Sequence, residues 1–230
     1  MTIKEPPKEG LIDKTAKLIK AGVDSLVPGG AIATELLSCL IKMPYQKRSE
    51  AWQQELTDAI NKIQEKGVDL EQLQNNEEFM DIILQSIPIG LKHYQEEKRR
   101  ALKNAIIHSA QNNAPDFSLQ QIFLNCIDTF TIWHIKILTL FNNPQKWFAN
   151  NKNSLPGIGG IGSVRGTLEK AFPELRNSKD LVDNIWTDLY IKGFVSSDKT
   201  LLQTTMTGQG SLEKRTTQLG NQFISYIEDE

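Results

Sequence analysis

The chain has 230 residues, 39% hydrophobic and 23% charged, with 26 Lys or Arg against 28 Asp or Glu and a formal net charge of −2. That length and composition suit a globular protein of one large or two small domains better than a disordered chain. The small net charge supplies no bulk attraction to nucleic acid or to anionic membrane, and the two cysteines, Cys39 and Cys126, each sit inside an apolar helical pattern and read as reduced core residues of a cytoplasmic protein.

Residues 1–9 are polar, match no signal peptide and are expected to be extended or disordered. Leu11, Ile12, Ala16, Ile19, Val23 and Leu26 then recur at helical spacing with Lys14, Lys17, Lys20 and Asp24 between them, which predicts an amphipathic helix. Pro28-Gly29-Gly30 breaks it. Ala31 to Lys42 is apolar on more than one face and predicts a buried helix that Pro44 ends. Gln46 to Lys66 predicts a third helix, with Trp52, Leu56, Ala59, Ile60 and Ile63 on one face and Gly67 as its stop.

A short helical turn over Asp69 to Gln74 leads to Asn75 or Asn76 as the cap of the next helix, with Glu77 and Glu78 in its first turn. Pro88 should kink or end that helix. The pattern resumes through Leu91, Tyr94, Ala101, Leu102, Ala105 and Ile106, and Glu96 is spaced to pair with Arg99 and Arg100 on a solvated face. After a loop over Asn112 to Phe117, Ser118 is expected to cap one central helix running to Phe141. Its stretch Ile122 to Phe141 is about as long as a membrane span, but Asp128, His134 and Lys136 would be costly in hydrocarbon, so the core of a bundle is the expected place. Pro144 suits the first turn of a short helix carrying Trp147 and Phe148.

Residues 151–162, rich in Asn and Gly, read as a linker between a helical bundle over 10–150 and a second domain over 163–230. That second domain reads as a helix from Val164 to Phe172, a helix from Lys179 to Lys192 capped by Ser178 and stopped by Gly193, and a hairpin of Phe194-Val195 with Leu201 to Met206. A last helix starts at Thr216 or Thr217 and carries Leu219, Phe223, Ile224 and Ile227.

Two phrases in this region carry a resemblance. Leu189-Tyr190-Ile191-Lys192-Gly193-Phe194-Val195 resembles the end of a recognition helix passing through glycine into the first strand of a wing. Thr216-Thr217-Gln218-Leu219-Gly220-Asn221-Gln222-Phe223 looks like the helix start that follows the wing in bacterial winged helix-turn-helix domains. Together they cover about the last third of the chain. The resemblance implies a winged helix, a fold that binds DNA, RNA or protein. Pro28-Gly29-Gly30 and the Arg48/Trp52 helix are similar only to uncharacterised bacterial reading frames, which imply no chemistry. The expected fold is therefore mainly α: an N-terminal helical bundle, then a C-terminal winged helix with a small β-hairpin.

In winged helices that bind DNA, the recognition helix offers its exposed side chains to base edges. Here those positions are Asp180, Asp183, Asn184, Thr187 and Asp188, and Ser163 to Glu230 holds 8 Lys or Arg against 10 Asp or Glu. Phosphate neutralisation drives most protein–DNA affinity, so the domain is poorly equipped for it. The expected partner is a protein, met by Asp180, Asp183, Asn184, Thr187 and Asp188 together with Lys199 and Thr200 at the wing tip. The alternative is a DNA-binding regulator using Arg165, Lys170, Arg176, Lys179, Lys214 and Arg215. A homo-oligomer stays open. A further alternative is a membrane-acting defence effector using Leu11 to Ile41, whose first helix has the basic face Lys14, Lys17 and Lys20.

Other motifs favour ordinary readings. Gly157 to Gly162 satisfies G-x-G-x-x-G, but Trp147 to Lys152 is no strand and the chain has no β/α alternation, so a glycine linker is expected rather than a dinucleotide site. A weaker option is a backbone nest for an anion before Ser163. His93 and Glu97 lie four apart and His108 follows, without H-E-x-x-H or C-x-x-C, so no metal is expected. Asp128 and His134 are six apart on a buried-looking helix and do not face each other, so another helix should supply their partners in a structural network. Ser38-Cys39 has no nearby base, and neither G-x-S-x-G nor a Walker lysine motif is present. The chain is expected to be no enzyme and to hold no cofactor.

Overall fold

The computed structural model describes residues 31–151, 156 and 160–229, with side chains from Tyr45 onward. The expected N-terminal segment 1–9, the helix over Leu11 to Leu26, the Pro28-Gly29-Gly30 break and Gly157 to Gly159 of the glycine motif lie outside the described residues, as does the side chain of Cys39. The chain is mainly α with one small antiparallel sheet. It divides into two compact units at Ile127/Asp128.

The first unit contains α1 (Ala31–Glu65), α2 (Leu70–Gln74), α3 (Glu77–Lys92), α4 (Glu96–Ser109) and most of α5 (Phe117–Thr129). α1 runs unbroken through Pro44, where the sequence predicts a stop. One proline withdraws one amide donor, and a helix already propagating on both sides absorbs that loss. α3 likewise continues past Pro88 to Lys92. Asn76 caps α3 by accepting from the Phe79 amide at 3.1 Å.

α1, α3 and α4 each pack on the other two. α1 passes α3 in the opposite chain direction, since the Arg48 guanidinium donates to the Lys92 carbonyl at 3.2 Å and Trp52 lies against Gly90. A Cβ at Gly90 would fall 2.2 Å from the Trp52 ring, so only glycine lets the indole seat there. Trp52, Ala59, Ile63, Phe79, Ile82, Leu102 and Ile106 form the core between them. Each buried aliphatic or aromatic side chain contributes about 1.5–3 kcal/mol. The Lys103–Glu55 ion pair, at 2.8 Å and mostly enclosed, loses much of its attraction to desolvation, so packing dominates.

The single helix expected from Ser118 to Phe141 is two helices, α5 and α6 (Ile132–Asn142). Asp116, not Ser118, opens α5: its carboxylate accepts from the Ser118 amide at 2.9 Å. The break falls at Phe130-Thr131. Thr131 is extended (φ −76°, ψ 166°) and its amide donates to Nδ1 of His134 at 3.1 Å, so a histidine in the first turn caps the helix it belongs to. Phe130 is pulled inward, 5.4 Å from Phe194 and 5.8 Å from Phe223 in edge-to-face contact.

The second unit continues with α7 (Pro144–Asn150), β1 (Ile161–Ser163), α8 (Val164–Ala171), α9 (Lys179–Ile191), β2 (Thr205–Thr207) and α10 (Gln218–Ile227). Three 3₁₀ turns join them, at Pro173–Leu175, Lys199–Gln203 and Gly210–Leu212. β1 begins at the end of the stretch read as linker and pairs antiparallel with β2, Gly162 opposite Met206. The expected hairpin of 194–195 with 201–206 therefore does not form as drawn. Val195 bridges Thr216 instead, and 199–203 is helical. Asp198 sets that helical turn by accepting from the Thr200 amide at 2.9 Å, which withdraws the segment from a strand. α9 stops where the sequence predicts: Gly193 has φ +77°, its amide donates to Tyr190 and the Phe194 amide to the Leu189 carbonyl at 2.8 Å.

Candidate functional site

The residues singled out by sequence centre on α9, and its helical geometry sorts them. Val182, Ile185, Trp186 and Leu189, spaced three and four apart, face inward and are buried. Trp186 stands edge-on to Phe141 at 5.2 Å, and its indole N–H donates to the Ser197 carbonyl at 2.9 Å. At 100° per residue the opposite crest carries Asp180, Asn184, Thr187 and Ile191. Leu181 and Asp188 lie on one flank of that crest, Asp183 and Tyr190 on the other.

Both flank carboxylates have partners within the chain, Asp183 mostly enclosed and Asp188 with its side chain 41% exposed. Asp183 pairs with Arg165 of α8, and the two side chains are each 16% exposed. Asp188 accepts from Nε2 of His134 on α6 at 3.3 Å and lies 3.6 Å from the Lys192 ammonium. His134 is buried and stacks on Phe130, ring centroids 4.9 Å apart. Its Nδ1 accepts from the Thr131 amide, which leaves the proton on Nε2, directed at Asp188. The partner expected for His134 from another helix is thus Asp188. Asp128 is half-buried on α5. The Thr187 hydroxyl donates back to the Asp183 carbonyl at 2.7 Å.

Of the residues expected to meet a protein, Asp180, Asn184, Lys199 and Thr200 are exposed, while Asp183, Thr187 and Asp188 are half-buried. Both Thr200 donors are used locally, its amide and its hydroxyl reaching the Asp198 carboxylate. These bonds hold the Asp198 carboxyl below its ordinary value. Of the cations proposed for nucleic acid, Arg176, Lys179 and Lys214 are exposed and Lys170 is half-buried. Arg165 is held by Asp183, and Arg215 is turned inward, donating to the Gly210 carbonyl at 2.5 Å and pairing with Glu213 at 3.4 Å.

Sequence reasoning missed the apolar part of this face. Leu181, Tyr190 and Ile191 are 43%, 44% and 75% exposed. The signal was present for two of them: Leu181 precedes Val182, and Ile191 stands two past Leu189, so neither can share the inward stripe.

Among the described residues no group of three or more His, Cys, Asp or Glu is placed to hold a metal ion. Cys126 is buried and is not in a disulfide. Among the same residues no helix is long and apolar enough to cross a membrane. No protein-family model, no curated protein and no solved structure matches the chain.

Proposed function

We propose that the chain is a non-enzymatic protein-interaction or regulatory module. Its C-terminal unit acts in the manner of a winged helix, with α9 as the docking helix. The winged-helix reading draws on the succession of α8 and α9 and on the glycine stop at Gly193, while the small sheet pairs β2 with a strand ahead of α8.

One observation carries the docking assignment. α9 is anchored on both flanks, by Arg165–Asp183 and by His134–Asp188, while its crest and margins leave Leu181, Tyr190 and Ile191 exposed beside Asp180 and Asn184. An immobilised helix with apolar anchors amid polar groups is what a protein partner recognises at low entropic cost. Asp183, mostly enclosed by its pairing with Arg165, positions that helix, while Asp188, with its side chain 41% exposed, stays among the proposed partner contacts. Lys199 and Thr200, exposed in a 3₁₀ turn that packs on α9, are the further proposed contacts.

The DNA-binding alternative draws on Lys170, Arg176, Lys179 and Lys214, with Arg165 and Arg215 engaged within the chain. The membrane-effector alternative rests on Leu11 to Ile41, which the described side chains do not reach.

Affinity purification of the tagged chain from its native host, with and without nuclease at moderate salt, tests the reading. A stoichiometric protein that survives nuclease supports it. Recovery of nucleic acid, with protein lost on digestion, overturns it in favour of a DNA-binding regulator.

A further inference from the structure

Helix α3 is apolar over a broad arc that is wider than its buried stripe. Phe79, Ile82, Ser86 and Gly90 are buried within the first unit. About a third of a revolution away, Met80, Leu84, Ile87 and Leu91 recur at spacings of four, three and four with Pro88 beside them. Met80 is 36% and Leu84 62% exposed, Pro88 is exposed, and Ile87 and Leu91 are half-buried. Met80 and Leu84 thus extend the apolar arc beyond what packing α3 into its own unit buries.

We infer that this outer stripe is a self-association surface, on which α3 of one copy packs antiparallel against α3 of a second copy about a two-fold axis at Leu84. The charge distribution selects this occupant. Glu77, Glu78 and Asp81 stand at the N-terminal end of α3 and Lys92 at its C-terminal end. Leu84 is central, so the two-fold axis carries Met80 onto Pro88 of the other copy and Glu77 onto Leu91. Lys92 of one copy then stands one residue beyond Glu77 of the other, on the same flank, and this contact occurs twice. A parallel arrangement would set Glu77 and Asp81 against their own kind. Antiparallel pairing also opposes the two helix dipoles. Self-complementarity of one patch is what an isologous dimer requires. With one helix per copy the interface is small and its affinity correspondingly modest. This inference stands apart from the α9 assignment, which concerns the other unit.

Sedimentation equilibrium of the full chain, from about ten to several hundred micromolar, tests it. The wild-type mass should rise from monomer toward dimer. Leu84→Glu should weaken the association at least tenfold while leaving the circular dichroism and the melting curve unchanged. Glu77→Lys and Lys92→Glu should each weaken it several-fold, and the double reversal should restore it, which no merely structural effect would do. Leu84→Cys should join two copies through position 84 on mild oxidation. A wild-type chain that stays monomeric throughout overturns the inference, as does a dimer indifferent to Leu84→Glu and to the charge swap.

Discussion

Helices α3 and α9 are built alike on their inner sides and differently on their outer ones. Each presents four inward residues at three-and-four spacing, and that stripe holds it in its unit. Outside, α9 is mostly polar, with an ion pair on each flank and isolated apolar side chains. α3 has a continuous apolar line with charge only at its ends. The lesson concerns what each surface can recognise. A line of like side chains with opposite charges at its two ends complements itself, whereas a rigid mixed surface suits a different molecule.

The largest expected effects break the shared inner sides. Trp186→Ala should cost the second unit about 3–5 kcal/mol, because it empties a buried indole site and orphans the Ser197 carbonyl. Loss of the native melting transition for that unit would register it. Gly90→Ala should cost the first unit roughly 1–3 kcal/mol by driving a methyl into Trp52, measurable by chemical denaturation.

Asp183→Asn sharpens the contrast on the outer side of α9. It should lower stability by roughly 1–3 kcal/mol, since Arg165 would lose the carboxylate facing it while still largely enclosed. Arg165→Met in the same chain should recover part of that loss, and a double-mutant cycle reads the coupling. Leu84→Glu and Ile191→Asp, both at well-exposed positions, should change stability by no more than about 0.5 kcal/mol and serve as probes of binding alone.

The smallest effect belongs to Asp198. Its folded carboxyl titrates below the ordinary value because Thr200 bonds to the ionised form. Its contribution is therefore present above the unfolded carboxylate value and fades as pH falls through the folded one. Asp198→Asn should flatten that part of the acid limb in a pH series of melting curves.

The sequence makes the inner sides of these helices legible because a stripe is a local pattern. Asn76 as a cap, Pro144 opening α7 and Gly193 ending α9 are legible for the same reason: their chemistry acts within one turn. What stays hidden depends on partners far away in the chain. Ile161–Ser163 is a glycine-containing tripeptide that becomes a strand only because Thr205–Thr207 lies beside it. Arg165 looks free for phosphate until Asp183, 18 residues on, is seen to hold it. The break at Phe130-Thr131 depends on a histidine acting as a cap, a role that side chain seldom takes, and on the pull of Phe194 and Phe223. Pro44 and Pro88 mislead in the other direction, since each costs one helical bond and neither ends its helix.

The most direct test of the docking assignment compares partner recovery on wild-type and Ile191→Asp baits at equal loading. The account predicts that Ile191→Asp loses the nuclease-resistant protein at least tenfold while its melting curve and its own mass are unchanged. Undiminished recovery on Ile191→Asp, and again on Asp180→Lys, would contradict it and place the dock elsewhere.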